Sequence, residues 1–176
     1  MKFCKILIIF FTSMSLFSCA FKNIESYSEQ LPKLDISKYF SGNTEAYGML
    51  QDRSGKVTRR FTVKMFGVYK DNVLTLNEVF TFDDGEKQNR DWVVTFKDGN
   101  NFTAKAGDVI GIASGKQFGN AVSMSYVLRI PYNGSTIDVS VDDWMYLIDE
   151  KSLINVSKIN KFGFNVAKLT IGFRKL

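Results

Sequence analysis

The amino-acid sequence predicts an all-β domain, an antiparallel barrel of about eight to ten strands. Three observations carry this. From Asn43 onward, apolar and polar residues alternate in short runs, the period of a strand with one buried face. The runs are separated by Asn-Gly, Asp-Asn and Asp-Asp-Gly steps, residue types that make tight hairpin turns. The final run, Phe164 to Lys175, alternates like the others. It is placed to close the sheet onto the first strand and so remove exposed edges. A chain of 176 residues, 45% hydrophobic and 14% aromatic, is long enough for one such domain with its own core.

Residues 1–18 read as a lipoprotein signal peptide. Lys2 and Lys5 flank the start of an apolar run, Ile6 to Phe11, that is too short to anchor in a bilayer. The segment ends in Leu16-Phe17-Ser18-Cys19, which resembles the bacterial lipobox. That resemblance implies cleavage before Cys19 and acylation of its thiol. Several acyl chains on one residue hold a protein at a membrane where a single chain does so only marginally. Ala20 follows the cysteine, and no Asp stands there, which implies an outer-membrane lipoprotein facing the periplasm. Residues 19–34, of mixed charge and containing Pro32, read as the acylated N-terminus and a tether. Residues 35–176 then form the barrel domain, opening with a helical turn over Asp35–Phe40.

Side chains of a strand alternate between faces, so each turn length can be tested by whether apolar residues meet apolar ones. A two-residue turn at Asn133-Gly134 sets Ile130 against Ile137, Leu128 against Val139 and Tyr126 against Val141. It also places Arg129 against Asp138 on the outer face. A two-residue turn at Asp71-Asn72 sets Tyr69 against Leu74, Gly67 against Leu76, Val63 against Phe80 and Phe61 against Phe82. At Asp83-Asp84-Gly85 a three-residue loop, with Gly85 left-handed, pairs Leu76 with Trp92 and Leu74 with Val94. The same register pairs Glu78 with Arg90, both on the inward parity. Burying either charge alone is costly, so the two are expected to contact each other directly. They serve either as a structural ion pair or as a polar anchor that grips a carboxylate or another headgroup.

The stretch Ile137–Glu150 begins as a strand and runs into Asp142, Asp143, Trp144 and Tyr146. Asp143 falls on the inner parity. The reading is a bulge or bend there, with Trp144 and Met145 exchanging faces. Asp142, Asp143, Trp144 and Tyr146 then form a barrel corner plugged by the Trp, a ligand-binding rim or a partner surface. Neighbours on a strand point to opposite faces, so Asp142 and Asp143 are poorly placed to share a proton or a metal, even with Asp149 and Glu150 nearby.

Composition narrows the chemistry. The chain has no histidine, and its two cysteines are Cys4 and Cys19. Ser-His and Cys-His nucleophile pairs, His-based metal sites and a disulfide within the barrel are therefore excluded. No cofactor or metal site is expected. The formal charge of +5 drops to +3 once Lys2 and Lys5 leave with the signal peptide, and no basic stripe interleaves with stacking aromatics, so nucleic acid is not an expected partner.

Several longer runs together carry a family resemblance. They are Thr44 to Val63, Gly85 to Trp92, Asp142 to Phe164 and Leu169 to Leu176. These resemble the Gram-negative lipoprotein family catalogued as domain of unknown function 3833. The resemblance spans nearly all of the chain after Cys19. It implies a lipocalin-like, calycin-type barrel on a lipoprotein. It brings no catalytic residues to carry over.

Three functions follow as expectations. The first is a barrel that binds a lipid or other small apolar ligand, with Glu78, Arg90, Trp92, Tyr69, Phe80 and Tyr126 as candidate contacts. The second is a lipid-modifying enzyme with Glu78 as base and Arg90 holding an oxyanion. The third is a filled barrel that presents the edge from Asp142 to Tyr146 to a protein of the cell envelope.

Overall fold

The computed structural model describes residues 23–176. The signal-peptide, lipobox and Cys19 readings lie outside the described residues. Ten strands follow one another as a meander: β1 (Gly42–Asp52), β2 (Val57–Lys70), β3 (Val73–Phe82), β4 (Lys87–Phe96), β5 (Asn101–Lys105), β6 (Val109–Phe118), β7 (Ala121–Tyr132), β8 (Ser135–Leu147), β9 (Ser152–Lys161) and β10 (Phe164–Lys175). Each pairs antiparallel with its sequence neighbours. β10 returns to β1, with Ala46 opposite Phe173 and Gly48 opposite Ile171. The result is a closed barrel without a free edge.

The three turns adopt the registers that parity requires. Asp71 and Asn72 both have positive φ, as do Asn133 and Gly134, the backbone of a two-residue turn that matches strand twist. Gly85 is left-handed, and Leu76 faces Trp92 while Glu78 faces Arg90. The Arg129 guanidinium holds Asp138 on the outer wall at 2.8 and 2.9 Å. Inside, Phe61, Val63, Met65, Leu74, Leu76, Trp92 and Val94 are buried, each contributed by the inward parity of its strand.

The expected bulge at Asp142-Asp143 is absent. The β7–β8 register runs unbroken from Ala121 opposite Tyr146 to Tyr132 opposite Ser135, and the β8–β9 register is equally regular. Asp143 simply continues the inward series of Val139 and Val141. Trp144 is on the outer face and yet only 5% exposed, so it plugs nothing inside the barrel. What covers it is the chain start: a single 3₁₀ turn, Ile24–Tyr27, lies over the outer wall. Ile24 packs with Ala121 and Trp144, and the Tyr27 ring lies 6.2 Å from Trp144 and 5.7 Å from Tyr146. Residues 23–34, which the sequence groups with a tether, therefore lie against the barrel. Leu34 donates its N–H to the Gly119 carbonyl at 2.7 Å.

The chain then turns under one end of the barrel. Helix α1 (Ile36–Tyr39) is capped by Asp35, whose carboxylate accepts from the Ser37 and Lys38 N–H groups. Ile36 and Phe40 point into the barrel and Phe40 meets Phe173 edge-on at 5.7 Å. The Tyr39 hydroxyl donates to the Lys151 carbonyl at 2.9 Å. Gly67 makes this seat possible, because a Cβ there would stand 1.9 Å from the Phe40 carbonyl oxygen. Gly67→Ala is expected to cost about 3 kcal/mol by forcing α1 off the barrel end. Chemical denaturation measures it, and a loss below about 0.5 kcal/mol would show that α1 yields freely.

Candidate functional site

Above the α1 plug the barrel is hollow. A cavity of about 110 Å³ is walled by apolar side chains from most strands, among them Val63, Leu76, Trp92, Met124, Met145 and Ile171. Toward the hairpin end opposite α1, the inward residues Phe80, Phe82, Ile130, Ile137 and Ile159 are only partly buried, so the wall loosens there. Three charged side chains enter the cavity from the wall: Glu78, Arg90 and Asp143.

Glu78 and Arg90 are cross-strand neighbours, but Arg90 does not take Glu78 as its ion partner. Its Nη2 pairs with the carboxylate of Asp108, a residue of the turn between β5 and β6. The physical reason is reach. Arg90 is long enough to cross to the next turn, where it also lies 5.6 Å over the Phe80 ring. Glu78 is left facing the cavity with a hydrogen bond from Trp92, and enclosure pushes its carboxyl up to about 7. The Arg90 charge opposes that shift, while the Asp108 and Asp143 charges add to it. Arg90 Nε and Asp108 Oδ1 are buried without a hydrogen-bond partner in the protein.

Asp143 sits in a nest of donors. Tyr126 donates its hydroxyl to Oδ2 at 3.1 Å and Ser157 donates to Oδ1 at 3.1 Å. The Asn155 amide donates to the same Oδ1 and to the Trp144 carbonyl. Burial still pushes the Asp143 carboxyl up, against the pull of these bonds. Tyr126 is raised well above 10, first by burial and then by the Asp143 charge, so its proton stays in place. Its ring meets Trp92 edge-on at 5.6 Å.

The structure thus gathers Glu78, Arg90, Trp92, Phe80 and Tyr126 around one space and adds Asp143 from the other group of candidates. Tyr69 is not among them. It has inward parity, but the Phe40 backbone covers Gly67, and Tyr69 lies beyond that cover, 41% exposed, edge-on to Phe96. Asp142, Trp144 and Tyr146 form no open rim. Asp142 accepts from the Trp144 indole at 2.9 Å on the outer wall, beneath Tyr27. Sequence reasoning missed Asp108, because a turn residue has no parity to read. It also missed Asn155 and Ser157, although their spacing of two on β9, between the inward Leu153 and Ile159, was a readable signal.

A double-mutant cycle distinguishes the two partners of Arg90. Coupling of about 1–3 kcal/mol is expected between Arg90→Met and Asp108→Asn, and a smaller one between Arg90→Met and Glu78→Gln. Equal couplings would mean that Arg90 is shared.

Comparison with known proteins agrees with this architecture. A family model described as "Protein of unknown function (DUF3833)" matches residues 13–175. No curated protein is significantly similar. Among solved structures, the chain is similar to the S-type phycobiliprotein lyase CPES from Guillardia theta. The TM-score is 0.50 at 8% identity, over 78% of this chain and 87% of the lyase. At that identity the likeness concerns the fold alone, a lipocalin-like barrel.

Proposed function

We propose, from the premise that the chain belongs to the DUF3833 family of proteins of unknown function, that it is a lipid-anchored binding barrel. Its ligand is a small molecule with an apolar body and one polar end. A single observation carries this: an apolar cavity inside a closed barrel, with Glu78, Arg90, Tyr126 and Asp143 on its wall. Apolar walls with a few convergent polar groups are what small-ligand sites share. The hollow interior argues against a filled barrel. The cover over Trp144 removes the edge that a partner protein would have used.

Location rests on the sequence. A signal peptide ending in Leu16-Phe17-Ser18-Cys19, followed by Ala20, supports an acylated Cys19 and attachment to the outer membrane on its periplasmic side. Four residue steps of chain, reaching at most about 14 Å, would then separate Cys19 from Asn23, the first described residue.

A lipid-modifying activity is the second reading. A carboxyl near 7 suits a general base at neutral pH. Arg90, which that chemistry needs at an oxyanion, is committed to Asp108, and this favours the carrier.

The test is native mass spectrometry of the Cys19→Ser chain, secreted to a periplasm and purified without detergent, followed by organic extraction. A near-stoichiometric small molecule, lost on filling the cavity with Val122→Trp, is the expected result. A clean protein mass that takes up no lipid extract would sink the proposal.

A further inference from the structure

We infer that the cavity selects a ligand whose polar end is a cationic hydrogen-bond donor, an amine on an apolar body, and rejects carboxylates and phosphates. This rests on the cavity being a ligand site and names the chemistry it takes. The wall carries two carboxyls, Glu78 and Asp143, and one guanidinium, Arg90. A third carboxylate, Asp108, already holds that guanidinium. No lysine reaches the wall. With all four groups ionised, the surroundings of the cavity carry an excess of two negative charges.

Apart from Arg90, the donors are also committed. Tyr126 and Ser157 donate to Asp143, and the Asn155 amide divides its two protons between Asp143 and the Trp144 carbonyl. Trp92 donates to Glu78. What remains on the wall is the Glu78 carboxyl, which has no ion pair, and the Arg90 guanidinium, whose charge Asp108 already balances although its Nε is buried without a partner. An incoming carboxylate would meet like charge in a water-poor space, where such repulsion is poorly screened. An ammonium would meet a carboxylate that the protein leaves without a salt bridge. The three acids do not converge into a cluster fit to hold a metal among the described residues, so a donor on an organic body fits the space better.

The proposal has a pH signature. Glu78 is faced by Arg90, Asp108, Asp143, Tyr126 and Trp92. Its carboxyl is pushed up to about 7 in the ligand-free barrel, so an ammonium should bind better above that pH and, below it, should displace a proton as it binds.

Calorimetric titration of the Cys19→Ser chain with octylamine, 1-octanol and octanoate tests this at pH 8 and pH 6. Octylamine is expected to bind at least about tenfold tighter than octanoate at pH 8. That preference should shrink severalfold at pH 6 and in Glu78→Gln, while continued binding of 1-octanol reports an intact fold and cavity. Octanoate binding as tightly as octylamine, with 1-octanol also bound, would overturn the head-group inference and leave the cavity reading standing. Failure of all three probes would overturn both.

Discussion

Asp143→Ala is expected to destabilise the barrel by about 3–5 kcal/mol. The carboxylate accepts from Tyr126, Asn155 and Ser157, and the last two are among the most deeply buried polar residues, at 2% and 0% exposure. Truncation removes the shared acceptor and leaves Tyr126 and one Asn155 proton facing a void, while Ser157 falls back on the Asn155 carbonyl oxygen at 3.0 Å. Each orphaned buried donor costs about 1–3 kcal/mol, offset in part by relief of the burial of Asp143 itself. Asp143→Asn keeps the shape and one acceptor oxygen, so about 1–2 kcal/mol is expected there. Urea denaturation of both variants gives the comparison. A loss under about 1 kcal/mol for Asp143→Ala would mean that water readily replaces the carboxylate. A second effect follows from the same substitution. The Asp143 charge is one of the influences holding the Glu78 proton on, so Glu78 should ionise at lower pH in the variant.

The second large effect is a dependence of stability on pH. Glu78 has a folded-state pKa of about 7, above its ordinary 4.5, because it is enclosed. Folding therefore favours the protonated form. The contribution is full below pH 4.5 and is lost as pH rises through 7. The shift corresponds to about 3 kcal/mol between those limits. Thermal unfolding of the wild-type chain is expected to show a lower Tm at pH 8 than at pH 5. In Glu78→Gln the difference should largely vanish, and that variant should be the more stable of the two at pH 8. Parallel pH profiles for the two proteins would show that Glu78 is not the group responsible. Surface acids such as Asp98 and Asp138, held below their usual range by hydrogen bonds from Asn101 and Arg129 respectively, act in the opposite sense and only at lower pH.

Much of the wall was legible because a strand has a period of two and a turn has a definite length. Asn133-Gly134, Asp71-Asn72 and Gly85 each constrain a register, and from them the facing of Glu78 and Arg90 follows. What parity does not report is which group a long side chain chooses once it is inside. Arg90 reaches a turn residue, Asp108, that no alternation could point to. The regular strand at Asp143, where a bulge is expected, has a related reason. An acid on the inner parity looks like a break in the strand unless its donors are known, and two of those donors lie on β9, 12 and 14 residues away. The packing of residues 23–34 is not legible from their mixed charge and Pro32, because it depends on which way Trp144 faces. Once Trp144 faces out, so large an apolar ring needs a cover, and Ile24 with Tyr27 provides it.

Closure of the barrel by β1 and β10 has a kinetic consequence. Thr44 meets Lys175 across that seam, so the contacts that complete the fold join the most distant parts of the domain. Contacts of such high sequence separation form late and make folding slow. A chain that emerges N-terminus first must hold a growing meander with two bare edges until the twelve residues of β10 arrive. During that interval β1 and the latest strand are templates for pairing with other chains. Deleting β10 would leave that intermediate as the end state: an open sheet with β1 and β9 unpaired, prone to self-association and unable to enclose anything.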